Sequence, residues 1–101
     1  MAIQASHSTD GQVLTIRVSG RFDFSVHQQF RESYERSGLT PQRYVVDLQD
    51  TDYIDSSALG MLLLLRDHAG GDEALIQIVH CNPDVRKVFS ISNFEQLFSI
   101  E

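Results

Sequence analysis

From Val13 to Ser19 the chain alternates, with Leu14, Ile16 and Val18 on one side and Thr15, Arg17 and Ser19 on the other. A period of two predicts a half-buried strand. Ile3 to His7 is a weaker strand ahead of it, and Asp10-Gly11 between them reads as a tight turn that would join the two as a hairpin. Gly20–Phe24 breaks the alternation and reads as a connection. Val26, Phe30 and Tyr34 then recur every four residues, which predicts a surface helix with one face down. It should run from Ser25, its expected cap, to about Arg36, with Gly38 ending it and Pro41 preventing its resumption.

Tyr44–Leu48 and Ala74–Val79 read as interior strands, apolar on both sides except for Asp47. Between them lies YIDSSALGMLLLLRDHAGG, from Tyr53 to Gly71. Its run Met61–Leu65 could be a strand by hydropathy alone, but Met and Leu are unbranched and favour helix. Asp-Ser-Ser ahead of the run offers cap oxygens, and Gly70-Gly71 offers a stop, so the expectation is a helix over Ser57 to Ala69. Asn82-Pro83 starts another helix, with Val85, Val88 and Phe89 as its apolar stripe, and LFSI near the end suggests a last short strand. Strands alternating with helices leave crossovers long enough for parallel pairing, so the fold class is α/β, a sheet with helices packed on it, in one domain over residues 1–101.

Composition narrows the function. Eight Lys and Arg stand against fourteen Asp and Glu, a formal net charge of -6. No basic footprint is available for phosphates, which argues against nucleic acid and anionic membranes as partners and favours a protein with a basic surface. Cys81 is the sole cysteine, so no internal disulfide can form, and a reducing compartment suits the chain. The start, MAIQASHSTD, lacks the pattern of a secretory signal, and no apolar run approaches the length of a membrane span. The expected location is the cytoplasm. His7, His27, His68 and His80 share no metal-ligand spacing, and neither a nucleophile elbow nor a phosphate-cradling loop is present. No metal, cofactor or enzymatic activity is expected.

The chemistry concentrates at Asp50, Asp52, Asp55, Ser56 and Ser57, which follow an interior parallel strand and so emerge at the carboxyl edge of the sheet. One cap needs one hydroxyl, yet Asp55, Ser56 and Ser57 stand together. Either the serines only cap the helix or one of them is a switch. A phosphate there would meet unpaired N–H groups and the positive end of the helix, while adding a charge of about -1.5 to -2 against any docked partner. Local physics favours either hydroxyl.

The stretches VLTIRVSGRFDFSV, YVVDLQDTDYIDSSALG and IVHCNPDVRKVFSISNFEQLFSI resemble the STAS domains, and among them the stand-alone anti-sigma factor antagonists. The resemblance implies a STAS-like mixed sheet with packed helices. It also implies that Ser56 is the phosphorylated residue, that Asp55 is the acidic residue before it, and that Asp23 is the aspartate of a loop near the partner surface. Ser57 would flank the same surface. In the implied cycle the unphosphorylated protein binds an anti-sigma factor, often itself the serine kinase, and so frees a sigma factor, and a serine phosphatase resets it. Ala58 stands where the family usually has glycine, which would alter close approach by a partner, and the chain stops where the family continues into a C-terminal helix. The rival readings are an accessory STAS subunit of a transport or sensory complex with no phosphorylation cycle, and a small-ligand-binding STAS domain.

Overall fold

A computed structural model describes residues 2–35 and 41–101. The expected helix end near Arg36 and the stop at Gly38 lie outside the described residues. Three helices accompany seven strands: β1 (Ile3–His7), β2 (Val13–Val18), β3 (Gly20–Phe22), α1 (His27–Glu35), β4 (Arg43–Asp47), β5 (Thr51–Ile54), α2 (Ser56–Ala69), β6 (Ile76–Val79), α3 (Pro83–Ile91) and β7 (Ser99–Ile100). Single 3-10 turns cover Phe24–Val26, Gly71–Glu73 and Phe94–Gln96. The main sheet has the order β1-β2-β4-β6-β7, antiparallel between β1 and β2 and parallel elsewhere. It is a mixed sheet with helices packed on it, and the α/β expectation holds.

The strands bury one face. Leu14, Ile16, Val18, Tyr44, Val46, Leu48, Ile76 and Ile78 enter a core completed from the helices by Phe30, Tyr34, Met61, Leu62, Leu65, Val85 and Phe89. Val45, Gln77 and Val79, on the alternate positions, are only half-buried. This corrects the expectation that β4 and β6 are covered on both sides. Their apolar outer residues reflect β propensity as much as burial.

Two short strands are absent from the sequence reading. β3 lies in the segment taken for a connection, and β5 holds Asp52, expected beyond an interior strand at the carboxyl edge of the sheet. They pair with each other in parallel as a separate two-stranded ribbon, Arg21 with Tyr53 and Phe22 with Ile54. β3 follows β2 and β5 follows β4, so two chain segments that pair in the main sheet break together and pair again. On one side of the break Gly20 takes φ +80, a conformation that favours glycine, and its N–H donates to the Asp50 carbonyl at 2.8 Å. On the other side the Thr51 N–H closes a turn onto Leu48 O, and its hydroxyl donates to Val18 O at 2.7 Å.

Asp47 anchors that turn. Its buried carboxylate accepts from the Gln49 amide at 3.0 Å, Arg17 Nη2 at 3.2 Å and His80 Nδ1 at 3.0 Å. Burial pushes the Asp47 carboxyl up, but the bonds from His80, Gln49 and Arg17 outweigh it and hold the group below the ordinary 3.8. Asp47→Asn keeps one oxygen for Gln49 and His80 but turns an NH2 toward Arg17 and removes the charge from all three bonds, so it should destabilise the fold by about 1–3 kcal/mol at neutral pH. Because the folded pKa is depressed, the contribution is present above the unfolded value and is lost as pH falls through the folded one. Urea unfolding across pH should show wild type and variant converging well below pH 3.8. A stability gap that persists unchanged into acid would refute the role of the carboxylate charge.

Candidate functional site

The ribbon brings its two carboxyl ends together. Phe22 pairs with Ile54, so Asp23 and Asp55 occupy the next rung of the ladder. Each then starts a helical turn in the same way. Asp55 has extended backbone (φ -125°, ψ -176°), and its Oδ1 accepts from the Ala58 amide at 3.1 Å and from the Ser57 hydroxyl at 2.6 Å. Asp23, also extended, accepts at Oδ1 from the Ser25 amide at 3.0 Å and from the Ser25 hydroxyl at 2.5 Å. The expected cap at Ser25 is therefore corrected: Asp23 is the cap, and Ser25 is its donor. The same holds at α2, where Asp55 caps and the helix begins at Ser56 rather than Ser57. A carboxylate is the better acceptor, and Asp ranks with Ser at N-caps.

This arrangement separates the two serines. The Ser57 hydroxyl is committed to Asp55 and half-buried. Ser56 is exposed, and its hydroxyl has no hydrogen-bond partner among the described residues. In the first turn Ala58 N donates to the Asp55 carboxylate and Leu59 N to the Asp55 carbonyl, leaving the amides of Ser56 and Ser57 without acceptors among the described residues. A free hydroxyl thus sits beside unpaired amides at the positive end of a fourteen-residue helix.

The surroundings carry residues with no signal in the hydropathy pattern. Phe24 is 69% exposed and rests on His27, ring centroids 5.0 Å apart and 12° from parallel. In its Asp-x-Ser turn Phe24 holds the place that Ser56 holds in the other. Tyr53 is 41% exposed, with the Arg21 guanidinium carbon 4.1 Å from its ring centroid. The repeated Asp-x-Ser after Gly-Arg-Phe and after Asp-Tyr-Ile was the available clue to this pairing. Along α2 the 3.6-residue period places Ser56, Gly60, Leu63 and Asp67 on the outer stripe. Gly60 costs the helix about 1 kcal/mol relative to alanine, and a Cβ added there would meet nothing within 4 Å. Nothing inside the molecule explains that glycine.

The remaining expected residues are placed as follows. Asp50 and Asp52 are exposed near the ribbon. Asp23 is held below the ordinary carboxylate range by the Ser25 hydroxyl and amide, with Arg21 adding to the effect through Oδ2 at 3.3 Å. Ala58 is fully buried and faces the core, so the departure from glycine there leaves the outer stripe unchanged. His80 turns to Asp47, while Cys81 is half-buried and burial pushes its thiol up. Among the described residues no group of three or more His, Cys, Asp or Glu could hold a metal ion, and no helix is long and apolar enough to cross a membrane.

A family model described as "Mlab, STAS domain" matches residues 5–99, and the chain belongs to the STAS-domain family. It is 65% identical over 100 residues to a STAS-domain containing protein of Pseudomonas aeruginosa (strain UCBPP-PA14), covering 99% of each chain. Its fold is similar to that of the anti-sigma factor antagonist SpoIIAA solved in its unphosphorylated form, with a TM-score of 0.82 and 20% identity, over 99% of this chain and 88% of that one. It is also similar to a sulfate transporter family protein of Wolinella succinogenes, with a TM-score of 0.73 and 13% identity, over 91% of this chain and 84% of that one. One fold serves both, so the site must choose between them.

The capping geometry makes a direct prediction. Asp55→Ala removes the acceptor for Ala58 N and should destabilise the protein by about 0.5–2 kcal/mol. Ser56→Ala removes a hydroxyl that bonds to nothing and should stay within about 0.5 kcal/mol of wild type. Denaturant unfolding of both variants checks this, and a Ser56→Ala loss equal to that of Asp55→Ala would make Ser56 a structural cap.

Proposed function

We propose that this chain is a non-enzymatic anti-sigma factor antagonist, one domain controlled by phosphorylation of Ser56. The observation that carries the reading is the free, exposed Ser56 hydroxyl beside two unpaired helix amides, next to a Ser57 whose hydroxyl is already engaged. The unphosphorylated surface, with Asp23, Asp55, Ser56 and Ser57 around the ribbon end, docks an anti-sigma factor that is itself a serine kinase. Docking releases the sigma factor for transcription. Phosphate on Ser56 ends the contact, and a serine phosphatase restores it, all in the cytoplasm.

The helix end tolerates the modification because its N-terminal charge effect, about 0.3–1 kcal/mol, favours an anion and offsets repulsion from the nearby carboxylates. A partner lying over Ser56 gains nothing comparable. It must strip water from the added charge and brings no group of its own to meet it, at a cost of about 2–5 kcal/mol, or roughly one and a half to three and a half decades of affinity. The exposed Phe24 and Tyr53 and the bare backbone at Gly60 suit a protein partner, since aromatic side chains and close approach dominate interface energetics.

Site-localised mass spectrometry of the protein from its native cell should find phosphate on Ser56 and not on Ser57. The partner captured with Ser56→Ala should bind wild type and Ser56→Ala alike by calorimetry, and Ser56→Asp much more weakly, with all three proteins folded. Equal affinities for the three, together with no phosphate on Ser56, would defeat the proposal. That result would favour an accessory STAS subunit of a transport complex, the reading that the fold shared with a sulfate transporter family protein supports.

A further inference from the structure

A phosphate on Ser56 would be crowded by like charge; of the cations nearby, Arg86 and Lys87 lie on α3, which packs against β5, and one lies on the ribbon itself. Asp23 and Asp55 lie just past the paired ends of β3 and β5, and Asp52 lies on β5. Between Gly20 and Val26, and between Thr51 and Leu59, the two segments that build the ribbon and its helical turns, Arg21 is the only Lys or Arg. His27 lies beyond, beneath Phe24.

Arg21 is lightly held. Its side chain is 64% exposed, its Nε reaches Asp23 Oδ2 at a long 3.3 Å, and its guanidinium rests on the face of Tyr53. Neither terminal nitrogen has an acceptor among the described residues. The other carboxylate oxygen of Asp23 is served by Ser25, so Asp23 keeps its cap role without Arg21. Asp55 stands two rungs along and one strand across from Arg21. That displacement is about 6.6 Å along the ribbon and about 4.8 Å across it, a diagonal of roughly 8 Å that an extended arginine side chain can largely span. Ser56 follows Asp55 directly. An arginine fork is matched to phosphate oxygens, and a dianion attracts it more strongly than one shared carboxylate oxygen does.

We propose that Arg21 is the internal counter-ion of the Ser56 phosphate, exchanging its single contact with Asp23 for a charge-assisted pair with the modified serine. The proposal rests on the reading of Ser56 as the phosphorylated residue and deepens it. Modification then alters the docking surface twice: it adds the phosphate, and it withdraws the guanidinium from the Asp23 side of the ribbon. The pairing also shields the phosphate from Asp23 and Asp55, so the domain keeps its fold in the modified state.

The test uses the full chain with phosphoserine installed at position 56 during synthesis, so that no kinase is required. Phosphorus NMR titration should give the wild-type phosphate a second pKa below that of the Arg21→Gln protein by about one unit, because a nearby cation favours the dianion. Arg21→Lys should retain part of the lowering. In nitrogen NMR the Arg21 Nε resonance should titrate with the phosphate in the modified protein and stay silent over the same pH range in the unmodified one. Equal phosphate pKa values in wild type and Arg21→Gln, or a silent Arg21 Nε in the modified protein, would each overturn the pairing. Absence of phosphate on the native protein would defeat the Ser56 reading alone and leave this measured contact standing.

Discussion

Everything at the candidate site hangs on the buried Asp47 carboxylate at the point where the parallel strands break. It ties β2 through Arg17, the turn after β4 through Gln49 N, and the end of β6 through His80. His80 adopts φ 61, a left-handed conformation in which histidine, like asparagine and aspartate, is found more often than most residues. Asn82 adds a second tie from the same connection, donating to Thr51 O at 3.1 Å while its side-chain oxygen caps α3 through Val85 N. The break is thus a fixed corner, and the ribbon beyond it leaves in one direction.

From that corner the rest follows by geometry. Two parallel strands of three and four residues carry an aspartate just past each end, and each aspartate turns the chain into a helix. Pairing in parallel forces both helical turns to start at the same level. The result is a surface where a capped helix end presents an unmodified hydroxyl, open amides and two carboxylates side by side. Such a place can take an anion without disturbing the core, because the residues that carry α2 into the protein, Ala58, Met61, Leu62 and Leu65, lie on the opposite side of the helix.

The same separation keeps the exposed aromatic and aliphatic side chains apart from the core. Exposed Phe24, Tyr53, Leu63 and Leu64 contribute little to the core that Phe22, Phe30 and Leu62 fill. Phe24 rests on the His27 ring, and Tyr53 lies under the Arg21 guanidinium, so each exposed ring has one neighbour of its own.

The sequence by itself determined the main strands and the three helices and pointed to the candidate site, because each rests on local physics. Alternation in β2, the four-residue stripe of α1, Leu and Met in α2 bounded by Asp-Ser-Ser and Gly-Gly, and Asn-Pro at α3 are all short-range signals. The observed ends agree to within about two residues. Gly70 indeed stops α2, with φ +121. Tertiary structure alone decided three things. β3 and β5 are strands only because they find each other across some thirty residues, as the Thr51–Val18 bond at a separation of 33 illustrates, and Gly-Arg-Phe or Thr-Asp-Tyr-Ile has no period to announce that. Burial of one sheet face was invisible because valine suits a strand whether or not it is covered. Which of the two adjacent serines keeps a free hydroxyl turned on which one the Asp55 carboxylate could reach once α2 had formed, a matter of direction around a helix.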